Sequence, residues 1–114
     1  MSNNRKTGKI GEDYAVNYLK ENGYIILERN KHFSKNCEVD IIAKDNDTLV
    51  FVEVKTRRSD VCGSPFEAIT KEKYKNIRYG LYSYISEHHY KNYRIDAIAV
   101  LLQNGVKIDH IKNI

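Results

Sequence analysis

Apolar residues occupy every second position in two stretches near the middle of the chain. Val39, Ile41 and Ala43 alternate with Glu38, Asp40 and Ile42, and Val50, Val52 and Val54 alternate with Phe51, Glu53 and Lys55. That period predicts two strands. Asp45-Asn46-Asp47 between them has no apolar residue and predicts the turn of a hairpin. A two-residue turn at Asn46-Asp47 and a four-residue loop from Asp45 to Thr48 give the same pairing, with Asp40 opposite Glu53 and Glu38 opposite Lys55. Directly opposed residues share a face of the sheet. One face then holds Val39, Ile41, Ala43, Val50, Val52 and Val54 and reads as core. The other gathers Glu38, Asp40, Glu53 and Lys55 at one end, continued by Ile42 and Phe51.

A helical period flanks this hairpin on both sides. Ile10, Tyr14, Ala15, Tyr18 and Leu19 predict a helix from Thr7, with Gly23 as its C-cap. Tyr24-Ile25-Ile26-Leu27 predicts a strand, and the basic, polar residues 28–36 predict a loop. A second basic loop is expected over residues 56–63. Ser64-Pro65-Phe66-Glu67 has the form of a helix start, and Thr70 offers a second start. Tyr74, Ile77, Leu81, Tyr84 and Ile85 then form one apolar stripe. Residues 93–102 predict a central strand, with Arg94 and Asp96 on one face and Ile95, Ala97 and Ala99 on the other. Asn104-Gly105 predicts a turn into a last strand over residues 106–111. The predicted order is α-β-β-β-α-β-β, a single α/β domain over residues 1–114.

Composition narrows the class of protein. The 114 residues are 41% hydrophobic, enough for one core and too few for two domains. Two cysteines make no disulfide scaffold, no Cys/His spacing matches a zinc site, and no run reaches the ~20 apolar residues of a membrane helix. A cytoplasmic protein without a membrane partner is expected. The adjacent His88-His89 cannot easily face one point and is a poor metal site. The net charge of +4 favours a polyanionic partner only mildly.

The acids of the hairpin carry the chemistry. Two carboxylates facing each other across strands repel, and a divalent cation removes the conflict. Mg²⁺, or Mn²⁺ in its place, takes one or two carboxylates and completes its shell with water, carbonyl or phosphate oxygens. Asp40 and Glu53 are the candidate metal ligands, and the Val54 carbonyl is a candidate third oxygen. Lys55 points the same way as Glu53. It can orient or deprotonate an attacking water, or stabilise charge on a phosphate. The combination suits metal-assisted phosphodiester hydrolysis. Arg57 and Arg58, with Lys73 and Arg78 on the second helix, are candidate phosphate contacts; a solvated basic face is the plainer reading of the helical pair. The plainer reading of the hairpin is an exposed strand with a Glu38–Lys55 ion pair. Glu12, by position alone, is a first-turn acid favoured by the helix dipole.

Asp40 followed by Glu53-Val54-Lys55 resembles the PD-(D/E)XK nuclease motif. The wider pattern is similar to the YraN-like family, small bacterial proteins related to archaeal Holliday junction resolvases. It comprises Gly8, Gly11-Glu12, Ala15, Tyr18-Leu19, Gly23-Tyr24, Arg29-Asn30, Glu38 to Ala43, Thr48 to Arg57, Ser64-Pro65, Glu67-Ala68, Lys73 and Arg94-Ile95-Asp96. The resemblance implies a restriction-endonuclease-like mixed central sheet flanked by helices. It also implies that Glu12 joins Asp40, Glu53 and Lys55 as a catalytic residue. The implied activity is a Mg²⁺-dependent endonuclease acting on DNA, with branched DNA as a possible preference and a homodimer as a possible assembly. A non-catalytic nucleic-acid-binding module of a larger assembly is the alternative. One position departs from the family pattern, with Cys37 where the family usually has glycine.

Overall fold

The computed structural model describes residues 3–59 and 65–114. A helix, α1 (Asn3–Glu21), leads into three strands, β1 (Ile25–Ser34), β2 (Cys37–Asp45) and β3 (Thr48–Arg57). A 3₁₀ turn at Pro65–Ala68 precedes a second helix, α2 (Lys71–His88), and strands β4 (Asn92–Leu101) and β5 (Lys107–Ile111) complete the chain. The five strands lie in the sheet in chain order. Only β3 and β4 run parallel, because α2 carries the chain back across the sheet between them; the other neighbours are antiparallel. The protein is therefore an α/β fold with a mixed sheet and the order α-β-β-β-α-β-β.

Each helix covers one face. Ala15, Val16 and Leu19 of α1 pack on Ile41, Ala43, Val50, Val52, Ile98 and Val100. Ile77, Leu81 and Tyr84 of α2 pack on Ile42, Leu49, Phe51 and Ile95. The hairpin turns through Asn46-Asp47, and pairs from Ile41↔Val52 to Asp45↔Thr48 follow the expected register. Gly23 ends α1 at φ 87°, where Tyr24 N–H donates to the Leu19 carbonyl at 2.9 Å. This is a left-handed cap of the kind glycine tolerates best. Thr70 caps α2, its hydroxyl accepting from Lys73 N–H. Ser64 and the expected loop residues 60–63 lie outside the described residues, while Thr56 and Arg57 of that loop belong to β3.

Two expectations fail for tertiary reasons. Residues 28–34 are strand rather than loop, paired with β2 through two irregularities. β1 is an edge strand open to water on one side, so pairing is compatible with its polar, basic sequence. Val39 does not share a face with Ile41. It packs under α2 with Cys37 and Ile42, so the alternation of β2 breaks at Asp40. The β2·β3 ladder stops at Ile41↔Val52 in the same place. Glu38 consequently never meets Lys55; it pairs across to His32 of β1, with ring nitrogen and carboxylate 3.4 Å apart.

Cys37 opens β2 without a positive φ, and its thiol donates to the Asn76 carbonyl of α2 at 2.9 Å. Burial pushes its pKa up, as suits a structural thiol.

A polar network locks the α1 face at the hairpin end. Asp96, fully buried, accepts from Arg94 Nε at 3.0 Å, His110 Nε2 at 2.8 Å and Asn113 N–H at 3.0 Å. Arg94 also donates to the Tyr24 hydroxyl and Asp45, and the far nitrogen of His110 meets the Tyr18 hydroxyl. Burial alone would raise the Asp96 pKa, but these donors hold it below the usual carboxylate range.

Gly11 sets how closely α1 approaches β3. A Cβ there would lie 1.8 Å from Thr56 Oγ1 and 2.7 Å from Thr56 Cβ. Gly11→Ala is expected to lower stability by about 1–3 kcal/mol in denaturant unfolding, with partial recovery in the Gly11→Ala/Thr56→Ala double variant. A stability equal to wild type would show that the close approach is not required.

Candidate functional site

The break in β2 creates the site. Where the β2·β3 ladder ends, the Asp40 side chain takes over from the backbone, and its Oδ2 accepts from Val54 N–H at 2.8 Å. The N–H and C=O of one strand residue face the same neighbour. The Val54 carbonyl therefore faces the edge from which β2 has departed, as a candidate metal oxygen should. Glu53, only 2% exposed, lies on the α2 side of β3 as the alternation from Phe51 requires.

Asp40 and Glu53 are joined by a hydrogen bond. Burial, then the charge of Glu53 and that hydrogen bond, push the Asp40 pKa up to about 8; the Val54 N–H works in the opposite direction. The charge of Glu12 adds to the rise, which puts all three acids in one neighbourhood. Among the described residues no three His, Cys, Asp or Glu side chains form a ready-made metal cage. The arrangement is instead a pair of carboxylates that share a proton more easily than they bear two charges. Such a pair fits Mg²⁺ or Mn²⁺ with part of the shell left to carbonyl, water or phosphate oxygens.

Two lysines converge on Glu53. Lys55 Nζ stands 3.7 Å from Glu53 Oε2, and Lys73, from the first turn of α2, forms an ion pair with the same oxygen. Burial and then the neighbouring Lys73 push the Lys55 pKa down. Burial works against a charged Lys73 too, but the bonds to Glu53 and Lys55 outweigh it and its pKa rises. The helix thus brings Lys73 into the acid cluster, a closer place than the phosphate contact expected of it.

Glu12, 8% exposed, reaches the site from α1. Its Oε2 accepts from Arg29 Nε at 3.1 Å, Arg29 Nη2 at 2.9 Å and Asn30 Nδ2 at 3.1 Å. Arg29 also grips Asp13 at 2.7 Å. Arg29 and Asn30 entered the sequence reading only as part of the family-like pattern and without a role, because they fell in an expected loop. A buried acid on a helix needs a cation, and that requirement was the signal pointing to them.

The remaining basic candidates disperse. Arg57 ends β3 and its carbonyl accepts from Leu102 N–H at 2.7 Å. Arg58 follows it, exposed, with Nε donating to Thr7 Oγ1 at 2.8 Å. Arg78 stands on another side of α2, among Tyr74 and Tyr82. His88 stacks on Tyr84 and His89 is the left-handed cap of α2.

No described helix is long and apolar enough to cross a membrane. The sequence is 41% identical to a UPF0102 protein of Syntrophomonas wolfei, with 96% of this chain aligned to 97% of the relative. It is 47% identical to one of Alkaliphilus oremlandii over 96% and 97%, and 48% identical to one of Clostridium botulinum over 96% and 94%. The model of the uncharacterised protein family UPF0102 matches residues 11–100, a span that includes Glu12, Asp40, Glu53, Lys55 and Lys73. With most of the fold and the whole acid cluster inside that span, and these relatives aligned over nearly their full length, the chain belongs to the UPF0102 family.

Proposed function

We propose that the protein is a Mg²⁺-dependent DNA endonuclease, with Mn²⁺ as a substitute and branched DNA as a candidate substrate. The observation that carries this reading is the Asp40–Glu53 pair, a partly buried and a buried carboxyl side by side with Lys55 alongside. A structure serving folding alone has little reason to bury like charges together. Asp40, Glu53 and the Val54 carbonyl would hold the cation, whose chemistry is to polarise a phosphate oxygen and acidify a bound water. Lys55, pushed down in pKa, is suited to take the proton of the attacking water or to meet charge developing on the phosphate. Water adds at phosphorus, the bond to one ester oxygen breaks, and a phosphomonoester and a hydroxyl end result. Glu12, held by Arg29 and Asn30, is near enough for its charge to act on Asp40, as a third acid. Arg57 and Arg58 extend from the strand that carries Glu53 and Lys55 and would grip neighbouring phosphates.

A second reading, a nucleic-acid-binding module without cleavage, has its own support. Lys73 on Glu53 and Arg29 on Glu12 neutralise both acids without any metal.

Incubation with branched, single-stranded and duplex DNA in Mg²⁺, Mn²⁺ or EDTA tests the first reading. Metal-dependent nicking is expected, abolished in Asp40→Asn and Lys55→Ala while DNA binding persists. Wild type and variants behaving alike on every substrate would sink it.

The carboxyl pair also predicts a pH dependence. Between about pH 4 and 8 Asp40 holds its proton in the folded chain and loses it in the unfolded one. The unfolded state then binds fewer protons, and stability falls as pH rises through that window. In EDTA, Asp40→Asn should match wild type near pH 4 and exceed it by roughly 1–3 kcal/mol near pH 8, read from denaturant unfolding. Equal stability at both pH values would deny the elevated pKa.

Lys73 and a divalent cation compete for one Glu53 oxygen. Lys73→Ala should tighten Mn²⁺ binding on the order of tenfold, measured by calorimetric titration, and Lys73→Arg should not. Unchanged affinity in Lys73→Ala would mean that the cation binds elsewhere.

A further inference from the structure

Three exposed tyrosines gather away from the acids, around the middle of α2 and the start of β4. Tyr79, Tyr82 and Tyr93 are 60%, 46% and 44% exposed. The rings of Tyr82 and Tyr93 meet edge to face with centroids 6.2 Å apart. The Arg78 guanidinium lies 5.8 Å from the centre of the Tyr74 ring and 5.4 Å from that of Tyr82, and donates to the Tyr82 hydroxyl. Among the described residues it meets no carboxylate.

Tyr74, Arg78, Tyr82 and Tyr93 line a cleft of about 150 Å³. It adjoins a second, of about 440 Å³, that shares Tyr93 and Arg94 and adds Lys91. No acidic residue among the described residues lines either one. Arg94 already answers Asp45 and Asp96, so among the described residues Arg78 and Lys91 supply the remaining charge, Lys91 also bordering a further cleft that holds Asp47. Aromatic surface left in water beside cations is poor use of a face unless something covers it. The charge calls for an anion, and the rings call for a flat apolar group.

The position relates this cleft to the acid site. Tyr93 pairs with Leu49 and Ala97 with Glu53, so four strand residues, about 13 Å, separate the two. Ile95 packs under α2, and Tyr93, two positions earlier, faces the same side as Glu53, two positions after Phe51. About four stacked nucleotides at ~3.4 Å each would bridge that distance.

We propose that this cleft binds single-stranded nucleic acid, with bases stacked on Tyr82 and Tyr93 and phosphates on Arg78 and Lys91. Every base offers a π-face, so the contact is indifferent to sequence, and the planar guanidinium, braced on two rings, is presented for phosphate. A paired duplex hides its base faces and cannot use the rings. The cleft would therefore hold an unpaired segment of the substrate beside the position of cleavage. That setting rests on the nuclease reading, whereas the binding itself does not.

The chain has nine tyrosines and no tryptophan, so its intrinsic emission reports stacking directly. In EDTA, which prevents cleavage, a short oligothymidylate is expected to quench that emission, with affinity falling steeply as salt rises. A duplex of equal length should bind more weakly. Anisotropy of a labelled oligothymidylate should show binding weakened about tenfold in Tyr82→Leu and in Tyr93→Leu. Tyr82→Phe keeps the stacking ring and should bind within about twofold of wild type. Tyr14→Leu, on α1, should be unchanged. Absence of quenching, equal affinity for duplex, or leucine variants that bind like wild type would overturn the proposal; a face that docks a protein instead would give that result. Lost nicking with intact oligonucleotide binding would count against the nuclease reading alone. Intact nicking without oligonucleotide binding would count against the cleft alone.

Discussion

The Glu53 carboxylate, 2% exposed and placed beside Asp40, is the constraint around which the other polar groups are arranged. A buried charge must be paired or neutralised. Three responses coexist within a few residues. Asp40 holds a proton more tightly than a free carboxyl, Lys73 swings in from α2, and Lys55 stands beside them with its own charge weakened. The site is thus a set of charges poised against each other, easily rebalanced by an arriving cation or phosphate.

The Asp96 network provides the contrast. It is as deeply buried, yet three donors satisfy its carboxylate and its pKa falls. Among the described residues no buried side-chain polar atom lacks a partner. One acid cluster is settled and joins α1, the hairpin turn, β4 and β5; the other keeps its acids in tension. Unsettled pKa values of this kind concentrate at working sites more than at structural ones. The contrast also separates two ends of the same sheet, one that fastens the fold and one free to do chemistry.

Much of this was legible in the residues. Period-2 alternation and the Asn46-Asp47 turn predicted the register found from Ile41↔Val52 to Asp45↔Thr48, because one slipped residue would send the apolar set to the wrong face. Gly23 and Thr70 marked helix ends through local backbone chemistry. The polar edge strand did not read as a strand, since its pairing is decided by β2 and not by its own composition. The break at Asp40 was equally hidden. Alternation predicts a regular ladder, whereas a side chain that replaces a backbone acceptor leaves no mark in hydrophobic periodicity.

By itself the sequence determined the number and order of the elements, the register of the hairpin as far as Ile41 and Val52, and the presence of Asp40, Glu53 and Lys55 at its open end. These are local properties, set by alternation, turn chemistry and residue type. Only the tertiary structure decided that Lys73 would sit on Glu53 and that Arg29 and Asn30 would clasp Glu12. It also drew Val39 under α2. Those placements depend on how closely α1 and α2 press on the sheet, a distance set at points such as Gly11 against Thr56. Sequence spacing carries periodicity but not that distance, and the electrostatics of the acids follow from the distance.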